Sequence, residues 1–328
     1  MQKPLKIFCI TIFVCMFLIG LYNYKKDTYA VFDNKFSSLY RTNSLPNIAF
    51  LKQKHFLKLS MDYENFILGS ANAMNIPTYN LPWQKVYSFA DFYQTLFDNL
   101  KILELIIDVK KHENNSCAKN VLLLIEPEYL YIDEEISNKL KSQYGNLPVP
   151  ENVKENLLFY IKYLFKNPFK KEQKKWSFSQ KINFFTDGSF VNENETETNF
   201  KYFNAFDSKL INFKENKIKE NIQVLKEITN LCKTNNINLF IILTPQYIEK
   251  LKTFNAADIK NFKENLSKIT DFYDFWTDSD FCSDKNNFYD KRVISAQTGE
   301  KIVERLFYEN QLGNFGILVK KEEDKNEK

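Results

Sequence analysis

Asn65-Phe66-Ile67-Leu68-Gly69-Ser70 is a short apolar run ending in small residues, the form of a buried strand that runs into a turn. Two later runs share this form. Val121-Leu122-Leu123-Leu124-Ile125 stands before Glu126-Pro127, and Leu239-Phe240-Ile241-Ile242-Leu243 stands before Thr244-Pro245. Uninterrupted apolar strands are buried on both faces, as in a parallel sheet covered by helices. The intervening chain has helical spacing. Ser88, with Asp91 three residues on, reads as the start of a helix carrying Phe89, Phe92, Tyr93, Leu96, Phe97, Leu100, Leu103 and Ile107. Ile218, Ile222, Leu225, Ile228 and Cys232 mark another, with Asn236 as its C-cap, and a last helix follows Gly299 with Ile302, Val303, Leu306 and Phe307 inward.

Alternating buried strands and amphipathic helices predict an α/β fold over residues 61–310, a doubly wound, mostly parallel sheet flanked by helices. In such sheets the site forms beyond the carboxyl ends of the strands. Here those ends are residues 69–72, 126–129 and 244–247. The stretch 129–206 lacks the rhythm and reads as an insertion or lid. It holds one helix with Val153, Leu157, Ile161 and Leu164 on one face, a Lys-rich segment at 170–175, and a turn at Thr186-Asp187-Gly188-Ser189. Residues 27–60 read as a stalk and lead-in, and residues 311–328 as a charged, disordered tail.

Residues 7–22 carry no charge, about 16 residues against the ~20 that span a bilayer core. Lys3 and Lys6 precede the run, Lys25 and Lys26 follow it, and Tyr22 and Tyr24 sit where interfacial aromatics belong. A cleaved signal peptide would be followed by small residues of Ala-x-Ala type, whereas this run continues Asn-Tyr-Lys-Lys-Asp. The expectation is an uncleaved anchor over residues 1–26 in the cytoplasmic membrane. Its short tail stays inside and the C-terminal domain lies outside the cytoplasm.

Composition excludes some functions. With 45 basic and 41 acidic side chains interspersed and a net charge of +4, no basic stripe marks a nucleic-acid partner. Cys9, Cys15, Cys117, Cys232 and Cys282 show no metal-ligand or redox spacing, and no cofactor motif is present. The reading is buried free thiols, with no cofactor and no metal.

The ordered set Ile67-Leu68-Gly69-Ser70-Ala71-Asn72-Ala73, Tyr79-Asn80-Leu81, a second buried strand, Ile241-Ile242-Leu243-Thr244-Pro245, and Phe288-Tyr289-Asp290 before Thr298-Gly299-Glu300-Lys301-Ile302 resembles the membrane-anchored SGNH-like hydrolases. Their relatives include D-alanyl transfer and alginate O-acetylation proteins. The resemblance covers residues 60–308. It implies a serine nucleophile at the end of the first strand and an Asp-x-x-His pair near the C-terminus. The hydroxyl is too weak to attack alone, an imidazole takes its proton, and a carboxylate holds the imidazole. On this chain the nucleophile position falls on Ala71 and the base position on Val293, and Asp290 alone of the three is present.

Ser70 stands one position early. His55 and His112 are the chain's two histidines, and both are expected on surface loops at the amino ends of the strands. The remaining polar groups near the expected site are Asn72, Asn80, Glu126, Glu128, Asp187, Gln246 and Asp290, and Gly69, Asn72, Asn80, Glu126 and Gln246 are the candidate binding residues. Paired carboxylates of this kind can serve glycosidic chemistry or remain solvated loop charges. Three functions follow from the resemblance. One is an inactive, membrane-anchored SGNH-like protein that assists acylation of an envelope polysaccharide, with a membrane O-acyltransferase, the glycan and the bilayer as partners. The second is an active acyltransferase or esterase using Ser70, and the third is a structural envelope protein.

Overall fold

The computed structural model describes residues 2–27, 31–32, 40–42, 47–92, 94–112, 117–143, 149–150, 153–165, 180–192, 213–277, 279–289, 291–308 and 315–322. In chain order the elements are α1 (Gln2–Lys26), β1 (Tyr40–Thr42), α2 (Ile48–Leu59), β2 (Asn65–Leu68), β3 (Val86–Ser88), α3 (Leu96–His112), β4 (Asn120–Ile125), α4 (Glu134–Gln143), α5 (Val153–Leu164), β5 (Gln180–Phe184) and β6 (Phe190–Asn192). They continue with α6 (Ile218–Thr234), β7 (Asn238–Leu243), α7 (Ile248–Leu251), α8 (Ala256–Ser267), β8 (Phe272–Asp274), α9 (Asp280–Ser283), α10 (Ala296–Phe307) and β9 (Ile317–Val319).

The three apolar runs lie side by side. The sheet order is β3-β2-β4-β7-β8-β9, parallel from β3 to β8, with β9 antiparallel at the edge. In β4, Val121, Leu123 and Ile125 enter one core and Leu122 and Leu124 the other, which is the period-2 alternation of a strand covered on both faces. The first core takes α3, α6 and α8, and the second takes α10 with the segment after β2. Register is held at the amino ends by an asparagine ladder. Asn120 donates to Asn65 at 2.6 Å, and Asn238 donates to Asn120 at 3.0 Å. A slip of one residue would break this ladder and turn every side chain to the wrong face.

Chain order reverses between β2 and β4: β3 adds on one side of β2, while β4, β7 and β8 add successively on the other. That reversal opens a crevice at the carboxyl ends of β2 and β4.

Several expectations change. Ser88, read as the start of a helix, instead ends the buried edge strand β3. The helix begins at Leu96, where the Thr95 backbone N–H donates to Asp98 Oδ2 at 2.8 Å and closes a capping box. The stretch read as a lead-in contains α2, whose Phe56 joins the main core. Asn236 takes the left-handed conformation, φ 56°, just beyond α6. The last helix starts at Ala296, capped by Ser295, so Gly299 lies inside it. A Cβ at Gly299 would stand 1.9 Å from Asn75 O, which is why the tightly docked helix carries glycine there. Residues 317–319, read as tail, pair with β8. The α5 helix exists, but Phe159 and Tyr163 form its buried side while Val153, Leu157 and Ile161 are exposed.

The β5–β6 turn covers the sheet's β3 edge. The Asp187 carbonyl accepts from Ser88 N at 2.8 Å, and Asp187 Oδ2 accepts from Thr78 Oγ1 at 2.6 Å. An edge strand protected in this way does not recruit other chains. The N-terminal helix, residues 4–26, is long and apolar enough to cross a membrane or to serve as a signal sequence.

Candidate functional site

Gly69 ends β2 with φ 140°, and a Cβ there would meet Ala73 Cβ at 2.8 Å and Leu124 O at 2.9 Å. Only glycine permits this turn. It sends Ser70 inward, 4% exposed, and leaves Ala71 half-buried. The Ser70 hydroxyl accepts from Ala71 N at 2.5 Å and reaches both the Glu126 carboxyl and the Tyr129 hydroxyl. Tyr129 in turn donates to Gln94 O at 2.6 Å.

Glu126 follows β4, and its Oε1 accepts the Asn72 backbone N–H at 3.1 Å. Burial, then the neighbouring Glu128 carboxylate, pushes its pKa up to about 7, against the opposing hydrogen bonds of Asn72 and Ser70 and the charge of Arg292. Burial likewise raises the Tyr129 hydroxyl well above its ordinary range. With Glu126 protonated, the groups can order as a relay from Glu126 to Ser70 to Tyr129 to the Gln94 carbonyl. Glu128 is also buried, its Oε1 3.4 Å from Lys250 Nζ. Lys250 is shared with the Phe213 and Phe254 rings, 5.3 and 4.8 Å from their centroids. Neither Glu128 oxygen nor Gln246 Oε1 receives a hydrogen bond from the described residues.

Asn72 spans the crevice. Its Nδ2 donates to Thr244 Oγ1 at 3.3 Å, and its Oδ1 accepts from Ile294 N at 2.8 Å. Thr244 is held by Ile125 O at 3.1 Å, and Gln246 Nε2 lies 3.4 Å from the same hydroxyl. Asn75 Nδ2 donates to Ile294 O at 3.0 Å, so residues 72–75 clamp the late segment through both peptide groups that flank the Ile294 Cα. Ala71 and Val293 are thus the chain neighbours of two residues joined by a hydrogen bond. Asp290 lies outside the described residues.

Of the residues singled out in the sequence, Gly69, Ser70, Asn72, Glu126, Glu128 and Gln246 gather at the carboxyl ends of the central strands. Asn80 does not join them. It lines a separate surface cavity of 410 Å³ with Tyr79, Glu300, Val303, Glu304 and Tyr308. Asp187 serves the turn that covers β3. The histidines correct the sequence reading in part. His55 is on α2, not a loop, with Nδ1 3.2 Å from Tyr87 Oη and its ring stacked on that tyrosine. Burial, then Lys58, depresses its pKa to about 4. His112 is exposed at the end of α3, its Nδ1 2.8 Å from the Asp108 carbonyl oxygen.

Sequence reasoning missed Tyr129 and Arg292 as partners of this cluster, and it missed Lys52. Lys52 is fully buried on α2, donates to Ala90 O, and has its pKa lowered to about 7 by desolvation despite Asp91 and Asp187. A lysine directly after the apolar run Ile48-Ala49-Phe50-Leu51 was the available signal. Among the described residues no group of three or more His, Cys, Asp and Glu side chains is placed to hold a metal ion. Of the three cysteines beyond α1, Cys232 and Cys282 are buried free thiols and Cys117 is exposed; Cys9 and Cys15 are exposed on α1. No protein-family model matches this chain, and no curated protein matches it.

Proposed function

We propose that this chain is a membrane-anchored SGNH-like domain outside the cytoplasm that assists acylation of an envelope polysaccharide without performing ester chemistry itself. One observation carries the reading. The Asn72 side chain bridges Thr244 and Ile294 across the crevice, and the neighbouring position where the resembled family keeps its nucleophile holds the methyl group of Ala71. The apolar N-terminal helix supports the membrane placement. The order of the five parallel strands supports the family resemblance at the level of architecture. A domain of this kind acts by binding, with a membrane O-acyltransferase and the glycan as partners.

The second reading, an active esterase or acyltransferase, is favoured by one contact. The Ser70 hydroxyl meets a carboxyl whose pKa is about 7, and such a carboxylate can act as a general base near neutrality. Ester-linked acyl groups released from the envelope polysaccharide, measured in cells with the intact gene, without it, and with Ser70→Ala, separate the two. The binding reading expects loss on deletion and full retention with Ser70→Ala. Loss with Ser70→Ala equal to deletion establishes the catalytic reading, and no loss on deletion removes both.

A further inference from the structure

The α5 helix has two apolar faces. Phe159 and Tyr163 pack inward with Val31 and Phe50, and the Tyr163 hydroxyl accepts from Asn47 Nδ2 at 3.0 Å. On the opposite side Leu157 is 62%, Leu158 44%, Ile161 39% and Phe165 43% exposed. A soluble surface does not keep such a row without an occupant.

Contacts with α1 identify the occupant. The Phe165 ring packs against Gly20, where a Cβ would stand 3.7 Å from Phe165 Cε1. Asn23 Nδ2 donates to Leu164 O at 2.7 Å, and Tyr160 lies beside Asp27 and against Phe32, with ring centroids 5.8 Å apart. Residues 165, 164 and 160 therefore meet residues 20, 23 and 27 in turn, so α5 descends along α1 in the opposite direction. Gly20 belongs to the charge-free run 7–22 and lies about 9 Å below Lys26 at 1.5 Å per residue. Phe165 is at that depth, and Ile161 is about 6 Å above it, near the level of Tyr24. Leu157 and Leu158 come roughly at the level of Lys26, and Val153 is about 18 Å above Phe165, clear of the hydrocarbon.

We propose that the lower end of α5, with Phe165 and Ile161, is embedded in the outer leaflet beside α1, with Leu158 at the headgroup boundary, as a second lipid contact that fixes the domain against the membrane. Gly20 and Asn23 set this depth, about 9 Å and about 4.5 Å below Lys26, within the outer part of the bilayer. This inference rests on α1 being a retained anchor. Lys154 and Lys162 flank the exposed row and can extend their charged ends to the headgroups.

The test uses the full chain with Cys9, Cys15 and Cys117 replaced by Ala, reconstituted in phosphatidylcholine–phosphatidylglycerol vesicles. Nitroxide labels at Phe13→Cys, Val153→Cys, Ile161→Cys, Phe165→Cys and Glu227→Cys report collision with oxygen against a water-soluble nickel chelate. The expected result is an oxygen-to-nickel ratio severalfold above that of position 227 at positions 13, 165 and 161. It should fall in the order 165, 161, 153 and reach the position 227 value at 153. Water-like ratios at 161 and 165 with a lipid-like ratio at 13 overturn the inference and leave the anchor standing. Water-like ratios at 13 as well remove the anchor reading and this inference with it. Exclusion of both reagents at 161 and 165 overturns it in favour of a protein contact, including a second copy of this chain.

Discussion

Asn72 Oδ1 accepts the backbone N–H of Ile294 at 2.8 Å, joining the turn after β2 to the segment before α10 across 222 residues of sequence. Ile294 is fully buried, so its N–H has no water to turn to. Asn72→Ala removes the acceptor and also frees Thr244 Oγ1 of a donor. An orphaned buried donor costs about 1–3 kcal/mol. Urea unfolding of the detergent-solubilised chain should show that loss, with hydrogen exchange rising first at residues 291–295. A change within about 0.5 kcal/mol, the range of neutral surface substitutions, would show that the bond does not hold the segment.

Gly299 makes the same junction from the helix side. Its backbone approaches Asn75 so closely that a Cβ would overlap the carbonyl oxygen at 1.9 Å. Backbone cannot step aside as a flexible side chain can, so Gly299→Ala should force α10 outward and destabilise by about 1–3 kcal/mol or more. Alanine has the better helix propensity, and a helix free of this contact would instead gain up to about 1 kcal/mol. The sign of the measured change decides between them.

The central sheet was legible because strands buried on both faces leave uninterrupted apolar runs, and residues 65–68, 120–125 and 238–243 are adjacent and parallel. The β3 strand was not. Val86-Tyr87-Ser88-Phe89 is only a short run, and the aromatics after it imitate helical spacing until Thr95 starts the true helix. The apolar face read on α5 is not the one that the fold buries, and the sequence does not tell the two apart. Val153, Leu157 and Ile161 repeat every four residues as faithfully as Phe159 and Tyr163 do, and hydrophobicity does not distinguish a protein core from another apolar surrounding. At the site, the residue types after each strand were visible, but the bond between Asn72 and Ile294 was not. No local pattern encodes a pairing across that separation.

Glu126 makes stability depend on pH in a stated direction. Its carboxyl is held at about 7 in the folded chain against an ordinary 4.5, so between those values the folded state binds the proton that the unfolded state has released. The contribution is fully present below about pH 4.5 and is lost as pH rises to about 7. The shift corresponds to about 3 kcal/mol. Glu126→Gln keeps an acceptor for Asn72 N–H and removes the titration. Relative to wild type, the variant should gain stability steadily from pH 4.5 to pH 7 and hold the gain above it. His55, held near 4, tilts stability the other way, and it cancels in the comparison. A wild-type-to-variant difference that is flat with pH would mean that Glu126 is ionised without penalty.

If, as proposed, the crevice closed by Asn72 holds no working nucleophile, the purified full-length chain will not hydrolyse a chromogenic acetyl ester. Wild type and Ser70→Ala should be indistinguishable from the uncatalysed rate at every pH from 6 to 9. Robust wild-type turnover that Ser70→Ala abolishes would contradict the binding role and make Ser70, beside Glu126, the nucleophile of an active esterase.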